Sequence, residues 1–358
     1  MKIFFDHQIF TLQKYGGVSR YFTEIMTRMP KDSWYTSTVF TENEYVDNLQ
    51  LFKCKHLYPK FKFKGRERVL TTFGNFFSIK DILFKDFDLF HQTDYNPYCI
   101  PYLKRKKIPF ITTCHDLNFA TINKVDYLMR WQKKSMCEAD GIIAISEYTK
   151  CKLIDLWDIP EDKITVIHHG VSKHSSVSEA RLIRYPYLLY VGTRFKFKNF
   201  TFLVSAYSLL VKKFPSLKLI CTGSAFTEKE LELFRSLNLS EKIIHIAASE
   251  TGLRNLYHYA EAFIFPSLSE GFGMPLLEAM AEDCPVLCSN ASCFPEIAGN
   301  AALYFDPYEI DDLYSQLERI LIDSEYRKVM INRGKARVNE FSWDKTADLH
   351  MDFYRKFI

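Results

Sequence analysis

Several features that would settle a function outright are missing from this sequence of 358 residues. No apolar run approaches the roughly 20 residues that a bilayer-spanning helix needs, so any membrane contact is expected to be peripheral. The 9 cysteines form no CxxC pair and no Cys/His spacing of a metal site. They read instead as reduced, mostly buried thiols of a cytoplasmic protein. Neither GxGxxG nor GxxxxGK[ST] follows any strand-like run, which removes the NAD-dehydrogenase and P-loop readings. A formal net charge of +4 is too small to argue for nucleic acid. The opening Met1-Lys2-Ile3-Phe4-Phe5-Asp6 is too short and too charged for a signal peptide and reads as a first strand.

What is present is the composition of a soluble globular chain, 47% hydrophobic and 25% charged, with a high 16% of aromatics. The length predicts two domains. Strand-like runs at 2–6, 36–40, 88–91, 109–114, 141–145 and 164–167 alternate with helical patterns near 17–29, 66–78, 124–138 and 147–157. The polar stretch from Ser172 to Glu179 breaks the pattern and reads as a linker. A second alternation opens at Tyr187-Leu188-Leu189-Tyr190-Val191-Gly192. Helices follow near 199–213, 227–238, 252–258, 309–322 and 324–340, and strands at 217–222, 243–246, 263–266 and 285–288. Ser342 is the N-cap candidate of a last helix reaching Phe357. Alternation of this kind argues for an α/β fold with parallel sheets covered by helices.

The most informative stretch is Ser269-Glu270-Gly271-Phe272-Gly273-Met274-Pro275-Leu276-Leu277-Glu278. An apolar strand ends just before it at Pro266. Two glycines then allow unusual backbone angles, and Pro275 suits a first helical turn. A helix N-terminus opening from a glycine loop presents free N–H groups and a positive dipole end, which suit a phosphate. Glu278, on the first or second turn, is within reach of a ribose, and Glu270, in the loop, of hydroxyls beyond the phosphates. Lys198-Asn199, after the Tyr190–Gly192 strand end, and nearby Arg194 place cations ahead of another helix, a second anion-binding pattern.

This segment resembles the signature of family 4 retaining glycosyltransferases, the large bacterial family that includes glycogen synthase-like and mannosyltransferase enzymes. The resemblance covers most of 187–350 and, more loosely, 1–170. It implies the GT-B fold, with two Rossmann-like domains facing across a cleft. The boundaries expected are an acceptor domain at 1–172, a linker at 173–186, a donor domain at 187–340 and a helix at 341–358 crossing back to the first domain. It implies transfer of a sugar from a UDP- or GDP-sugar to a hydroxyl of a glycan acceptor, with no cofactor and no metal. By resemblance, His115 in His115-Asp116-Leu117 and Glu270 serve the reaction at the donor sugar. Gly16, Gly17, Arg194, Lys198, Gly271, Phe272, Gly273, Met274, Pro275, Leu276 and Glu278 bind the substrate. Many members carry the arginine directly after the glycine, where this chain has Thr193. Asp283 replaces a frequent glycine, and a left-handed turn is expected there. Asp86-Phe87-Asp88 matches the letters of a metal-binding DxD but leads into a buried strand, and is rejected.

Lys53, Lys55, Lys60, Lys62, Lys64, Arg66 and Arg68 are interleaved with aromatics, and Lys104-Arg105-Lys106-Lys107 follows. Such clusters suit anionic lipid headgroups or a polyprenyl-diphosphate-linked acceptor as well as a plain solvated face. RNA would fit the composition too, but no RNA-binding motif accompanies it. The expectation is an enzyme of bacterial surface polysaccharide synthesis, peripheral on the cytoplasmic membrane. The alternatives are a non-catalytic sugar or lipid-carrier binding protein and a nucleotide-sugar 2-epimerase of the same fold.

Overall fold

The strands are short and buried on both faces, as strands of a parallel sheet sandwiched between helices must be. The computed structural model describes residues 1–52, 54–55, 65–117, 126–173 and 180–358. The chain forms two compact units, Met1–Gly170 together with Ser342–Ile358, and Val171–Phe341.

Among the described residues, the first unit has β1 (Ile3–Phe5), β2 (Trp34–Thr36), β3 (Val39–Phe40), β4 (Cys54–Lys55), β5 (Leu89–Gln92), β6 (Phe110–Cys114), β7 (Gly141–Ala144) and β8 (Ile164–Val166). Its helices are α1 (Gln8–Leu12), α2 (Gly17–Arg28), α3 (Glu44–Leu49), α4 (Arg66–Phe84), α5 (Ile100–Lys106), α6 (Asp126–Glu138) and α7 (Glu147–Trp157). The main sheet runs β2-β1-β5-β6-β7-β8, all parallel, and β3 and β4 pair separately. The expected single strand at 36–40 is therefore two: the chain leaves the main sheet after Thr36 and re-pairs at Val39.

The second unit contains β9 (Tyr187–Tyr190), α8 (Phe200–Lys213), β10 (Lys218–Cys221), α9 (Glu228–Ser236), β11 (Ile243–His245), α10 (Glu250–Tyr259) and β12 (Ala262–Phe265). It continues through α11 (Met274–Ala281), β13 (Val286–Ser289), α12 (Phe294–Ala298), β14 (Ala302–Phe305), α13 (Ile310–Ile322) and α14 (Ser324–Val338). Its order, β11-β10-β9-β12-β13-β14, is the doubly wound Rossmann order. The winding order reverses between β9 and β12, which run parallel with Leu188 and Leu189 paired to Ala262 and Phe263. Loops leaving the carboxyl ends of two such strands diverge and open the crevice where this fold binds ligands. The corresponding point in the first sheet lies between β1 and β5.

The last helix, α15 (Trp343–Arg355), belongs to the first unit. Ser342 caps it, accepting from the amides of Asp344 and Lys345. A Cβ on Gly170 would lie 2.1 Å from the Trp343 nitrogen, so only glycine lets the two backbones pass. Polar clasps then fix the helix: Thr346 Oγ1 donates to the His168 carbonyl at 2.8 Å, and Tyr354 OH meets His91 Nδ1 at 2.6 Å. His350 Nδ1 lies 2.6 Å from the Thr346 carbonyl, which can only accept. The proton therefore sits on Nδ1, and Nε2 accepts from Tyr21 OH at 2.5 Å.

Candidate active site

The second unit gathers its charged groups at the β9/β12 switch point. The loop after β9 ends in a short turn, Lys196–Lys198, and Asn199 takes a left-handed φ of 53° to start α8. The loop after β12 carries Glu270. Leu268 N–H donates to the Phe197 carbonyl at 2.7 Å and ties the two loops together. The Lys198 ammonium pairs directly with the Glu270 carboxylate, the two side chains being only 17% and 13% exposed. The ammonium also lies 5.3 Å from the Phe265 ring centre and 5.5 Å from that of Phe197. Glu270 is held by its backbone: its amide donates to Ser292 Oγ at 3.3 Å, and Cys293 Sγ–H donates to its carbonyl at 3.3 Å.

After Glu270, Gly271 and Phe272 are buried, and the Phe272 ring packs edge-on against Phe341 with centroids 6.0 Å apart. Gly273 turns the chain at φ 89°, a region that disfavours any side chain. There α11 begins, with Met274 and Pro275 in its first turn and Leu276 packed inside. No side chain caps this end, so its amide dipoles remain available to an anion. Glu278, half-buried, follows on the second turn. Asp283 does take the left-handed turn, φ 62°, with its carboxylate 3.0 Å from Lys335.

Arg194 is placed differently from Lys198. Its Nε donates to Glu230 at 2.6 Å and its Nη2 to the carbonyls of Ser224 and Ala225, both at 2.7 Å. The Phe226 ring lies 4.9 Å from the guanidinium, and the side chain is only 4% exposed. The structure thus groups Lys198, Glu270 and the start of α11, and turns Arg194 toward α9.

Gly16, Gly17 and His115 lie in the first unit. Gly16 is extended, and a Cβ there would come 2.5 Å from Gln13 Oε1, the atom that accepts from the Ser19 amide. Gly17 opens α2 with room for a side chain. His115 follows β6, its amide donating to Tyr95 OH at 3.0 Å and its ring 4.9 Å from Tyr21 of α2. It is 91% buried by its 9% relative exposure, and among the described residues neither ring nitrogen has a hydrogen-bond partner. Burial, with the neighbouring His350, pushes its pKa down to about 3, so the ring is neutral.

Two family models match, "Glycosyl transferases group 1" over residues 177–337 and "Glycosyltransferase Family 4" over residues 15–174. The chain is a family 4 glycosyltransferase of the GT-B fold. The transferase is 28% identical over 277 residues to O-antigen chain mannosyltransferase B of Escherichia coli, covering 71% of this chain and 72% of that one. It is 27% identical over 273 residues to the serotype-specific mannosyltransferase WbdA of Escherichia coli, covering 69% of this chain but 33% of that protein. Its fold matches that of HepE of Anabaena, solved with UDP-glucose, at TM-score 0.80 and 16% identity, over 99% of this chain and 100% of that one.

Several groups that shape the transferase's site went unassigned in the sequence. Ser292, at φ 52°, and Cys293 anchor Glu270 from a loop 22 residues downstream. Tyr21, Phe22, Tyr95 and His169 enclose His115, and no spacing in the chain signals that meeting. The basic segment is largely outside the described residues, which resume at Gly65. In the second run, Lys104 pairs with Glu138, and Lys106 donates to the carbonyls of Leu83 and Lys85. Asp88 accepts from the Lys2 amide at 2.7 Å, a local role. Among the described residues no helix is long and apolar enough to cross a membrane.

Proposed function

We propose that the transferase moves a sugar from a nucleotide-diphosphate donor to a hydroxyl of a glycan acceptor, keeping the anomeric configuration. The observation that carries this is the Lys198–Glu270 pair beside the uncapped start of α11, at the switch point of the second sheet. Breaking the C1–O bond leaves positive charge on the sugar and negative charge on the departing diphosphate. Lys198 and the amides of Gly273 and Met274 would receive that negative charge, the kind of electrostatic help that is often the largest catalytic contribution. Lys198 and Glu270 would part on donor binding, the ammonium turning to phosphate and the carboxylate to sugar hydroxyls. Glu278 would hold the ribose, and the neutral ring of His115 would offer its unsatisfied nitrogens to the sugar.

Neither glutamate is placed as a nucleophile, since both sit in one segment, whereas double displacement needs carboxyls on both sides of the bond. The proton of the acceptor hydroxyl would instead pass to the leaving phosphate oxygen on the same face. With a lysine and a helix end supplying positive charge, no divalent ion is required by this scheme. Arg194 is left out of the clamp because its guanidinium is held by Glu230 and two carbonyls. UDP is favoured as carrier by the likeness to HepE, and a lipid-linked acceptor in bacterial surface polysaccharide synthesis by the likeness to the O-antigen enzymes.

Thermal shifts against UDP, GDP, ADP and TDP test the donor site directly. One of them should stabilise the second unit, and Glu278→Ala should weaken that nucleotide by about 1–2 kcal/mol through loss of ribose hydrogen bonds. No stabilisation by any of the four would overturn the donor-site reading.

A further inference from the structure

Helix α4 is apolar on both of its sides. Its inner side, Leu70, Gly74, Ser78 and Ile82, is buried in the first unit. The opposite side carries Val69, Phe73, Phe76 and Phe84, which are 41%, 54%, 62% and 80% exposed. These positions recur at the three- and four-residue spacing of one helical face, along 19 residues or about 28 Å. Helices apolar all round are normally covered, and a row of exposed phenylalanines is a patch that marks an interaction surface.

Charge decides what covers it. By the helical repeat Lys80 stands at the centre of the outward face, Arg66 lies on the same side paired with Glu42, Arg68 is exposed at its edge, and Lys85 follows the helix end. The helical repeat puts the two acids of α4, Glu67 and Asp81, on its other side, and Asp81 is already paired with Lys85 at 3.0 Å. The sequence ahead of the helix adds to the asymmetry, for no acidic residue occurs from Leu51 to Arg66 while lysine stands at 53, 55, 60, 62 and 64. A second copy of the chain docked face to face across a twofold axis would set these cations against themselves. Aromatic side chains rimmed by Lys and Arg fit the boundary between anionic headgroups and acyl chains.

We propose that the outward face of α4 is a membrane-docking surface, with Val69, Phe73, Phe76 and Phe84 entering the headgroup–acyl boundary of an anionic bilayer. Arg68 and Lys80 then lie at the level of the lipid phosphates. This gives the lipid-linked acceptor reading a surface, and its purpose rests on that reading, but the binding itself stands on the helix alone.

The test is co-sedimentation of the full chain with vesicles of phosphatidylglycerol mixed with phosphatidylcholine, against phosphatidylcholine alone, with no sugar nucleotide present. Wild type should pellet with the anionic vesicles, and Phe73→Ser/Phe76→Ser/Phe84→Ser should lose at least about tenfold in affinity. Because those side chains are exposed, the triple variant should keep its thermal shift with nucleotide, which separates loss of docking from misfolding. In Phe76→Trp, added anionic vesicles should shift emission to the blue and brominated acyl chains should quench it. Wild type that stays in solution overturns the proposal, as does binding that survives the triple variant. Binding lost only on neutralising Arg68 and Lys80, with no quenching in Phe76→Trp, also overturns it, leaving surface attraction without insertion. So does a wild-type dimer that the triple variant converts to monomer without change in vesicle binding. None of these outcomes touches the donor site, which the nucleotide shifts judge separately.

Discussion

The first unit should lose stability steeply on mild acidification, because its buried histidines cannot take protons without unfolding. His115 and His350 are pushed down to about 3 and about 4 by burial, and burial also lowers His7, His91 and His169. In the unfolded chain each titrates near 6.5. Below that value the unfolded state binds protons that the folded state refuses, so stability present at neutral pH falls as pH falls. Between about pH 7.5 and pH 5.5, one histidine kept neutral by the fold removes about 1.4 kcal/mol. His115 and His350 alone therefore remove about 2.7 kcal/mol, and each of the others adds up to the same single share. Asp94 works the other way: burial raises its carboxyl to about 6, so the folded state binds its proton first. It offsets just under about 1 kcal/mol over the same range. The net loss is at least about 2 kcal/mol and approaches 6, a large part of the 5–15 kcal/mol that holds a typical domain. The assay is convenient, since all 4 tryptophans, Trp34, Trp131, Trp157 and Trp343, lie in the first unit. Urea unfolding followed by tryptophan emission at the two pH values therefore reports that unit alone. His350→Gln should flatten the pH slope by one histidine's share. A free energy that changes by less than about 1 kcal/mol between the two pH values would refute the reasoning.

Replacing Lys198 by Met should weaken binding of the preferred nucleoside diphosphate by tenfold or more, as expected for one charge-assisted hydrogen bond, about 1.5–3 kcal/mol, by titration calorimetry. Arg194→Met should instead lower the stability of the second unit by about 1–3 kcal/mol in chemical unfolding, since the Glu230 carboxylate loses the guanidinium and keeps only Thr227, and should leave nucleotide affinity within about twofold once folded. The opposite pattern would return Arg194 to the diphosphate. Gly223→Ala should cost more than about 2 kcal/mol, because its φ of 96° disfavours any side chain and a Cβ would meet the Gly192 carbonyl oxygen at 2.5 Å. A variant as stable as wild type by thermal unfolding would mean that the two loops do not meet there.

Much of the fold was legible because its signals are local. Apolar runs bounded by glycine, proline and polar residues located β1, β5, β6, β7, β9, β10 and β12, and Ser342 marked the start of α15. What escaped was short or lacked contrast. The five-residue helices α1 and α12 offer too few positions for a period to show. The strand β14, Ala302-Leu303-Tyr304-Phe305, adjoins the polar Gly299-Asn300 and the Asp306-Pro307 turn, and its pairing with β13 is a tertiary fact. The sequence pattern carries α4 only to residue 78, yet the helix runs to Phe84, because its outward phenylalanines blur the amphipathic contrast.

The site divides on the same line. Glu270, Gly273 and Glu278 were legible because one segment codes the loop, the left-handed turn and the helix start together. Lys198 and Arg194 are only four positions apart in a segment rich in cations, and the sequence shows the arginine displaced by one position yet still counts it in the clamp. The structure separates them by their partners. Lys198 is paired with one carboxylate at the open edge of the sheet, an interaction that a phosphate can replace. Arg194 has three acceptors and a ring around it, and it would have to leave all of them to reach a ligand. A buried guanidinium gives up such partners only against their full desolvation cost. The cation with the fewest internal obligations is therefore the one free to hold a leaving group, and that distinction is written in contacts 30 to 72 residues away, out of reach of any local pattern.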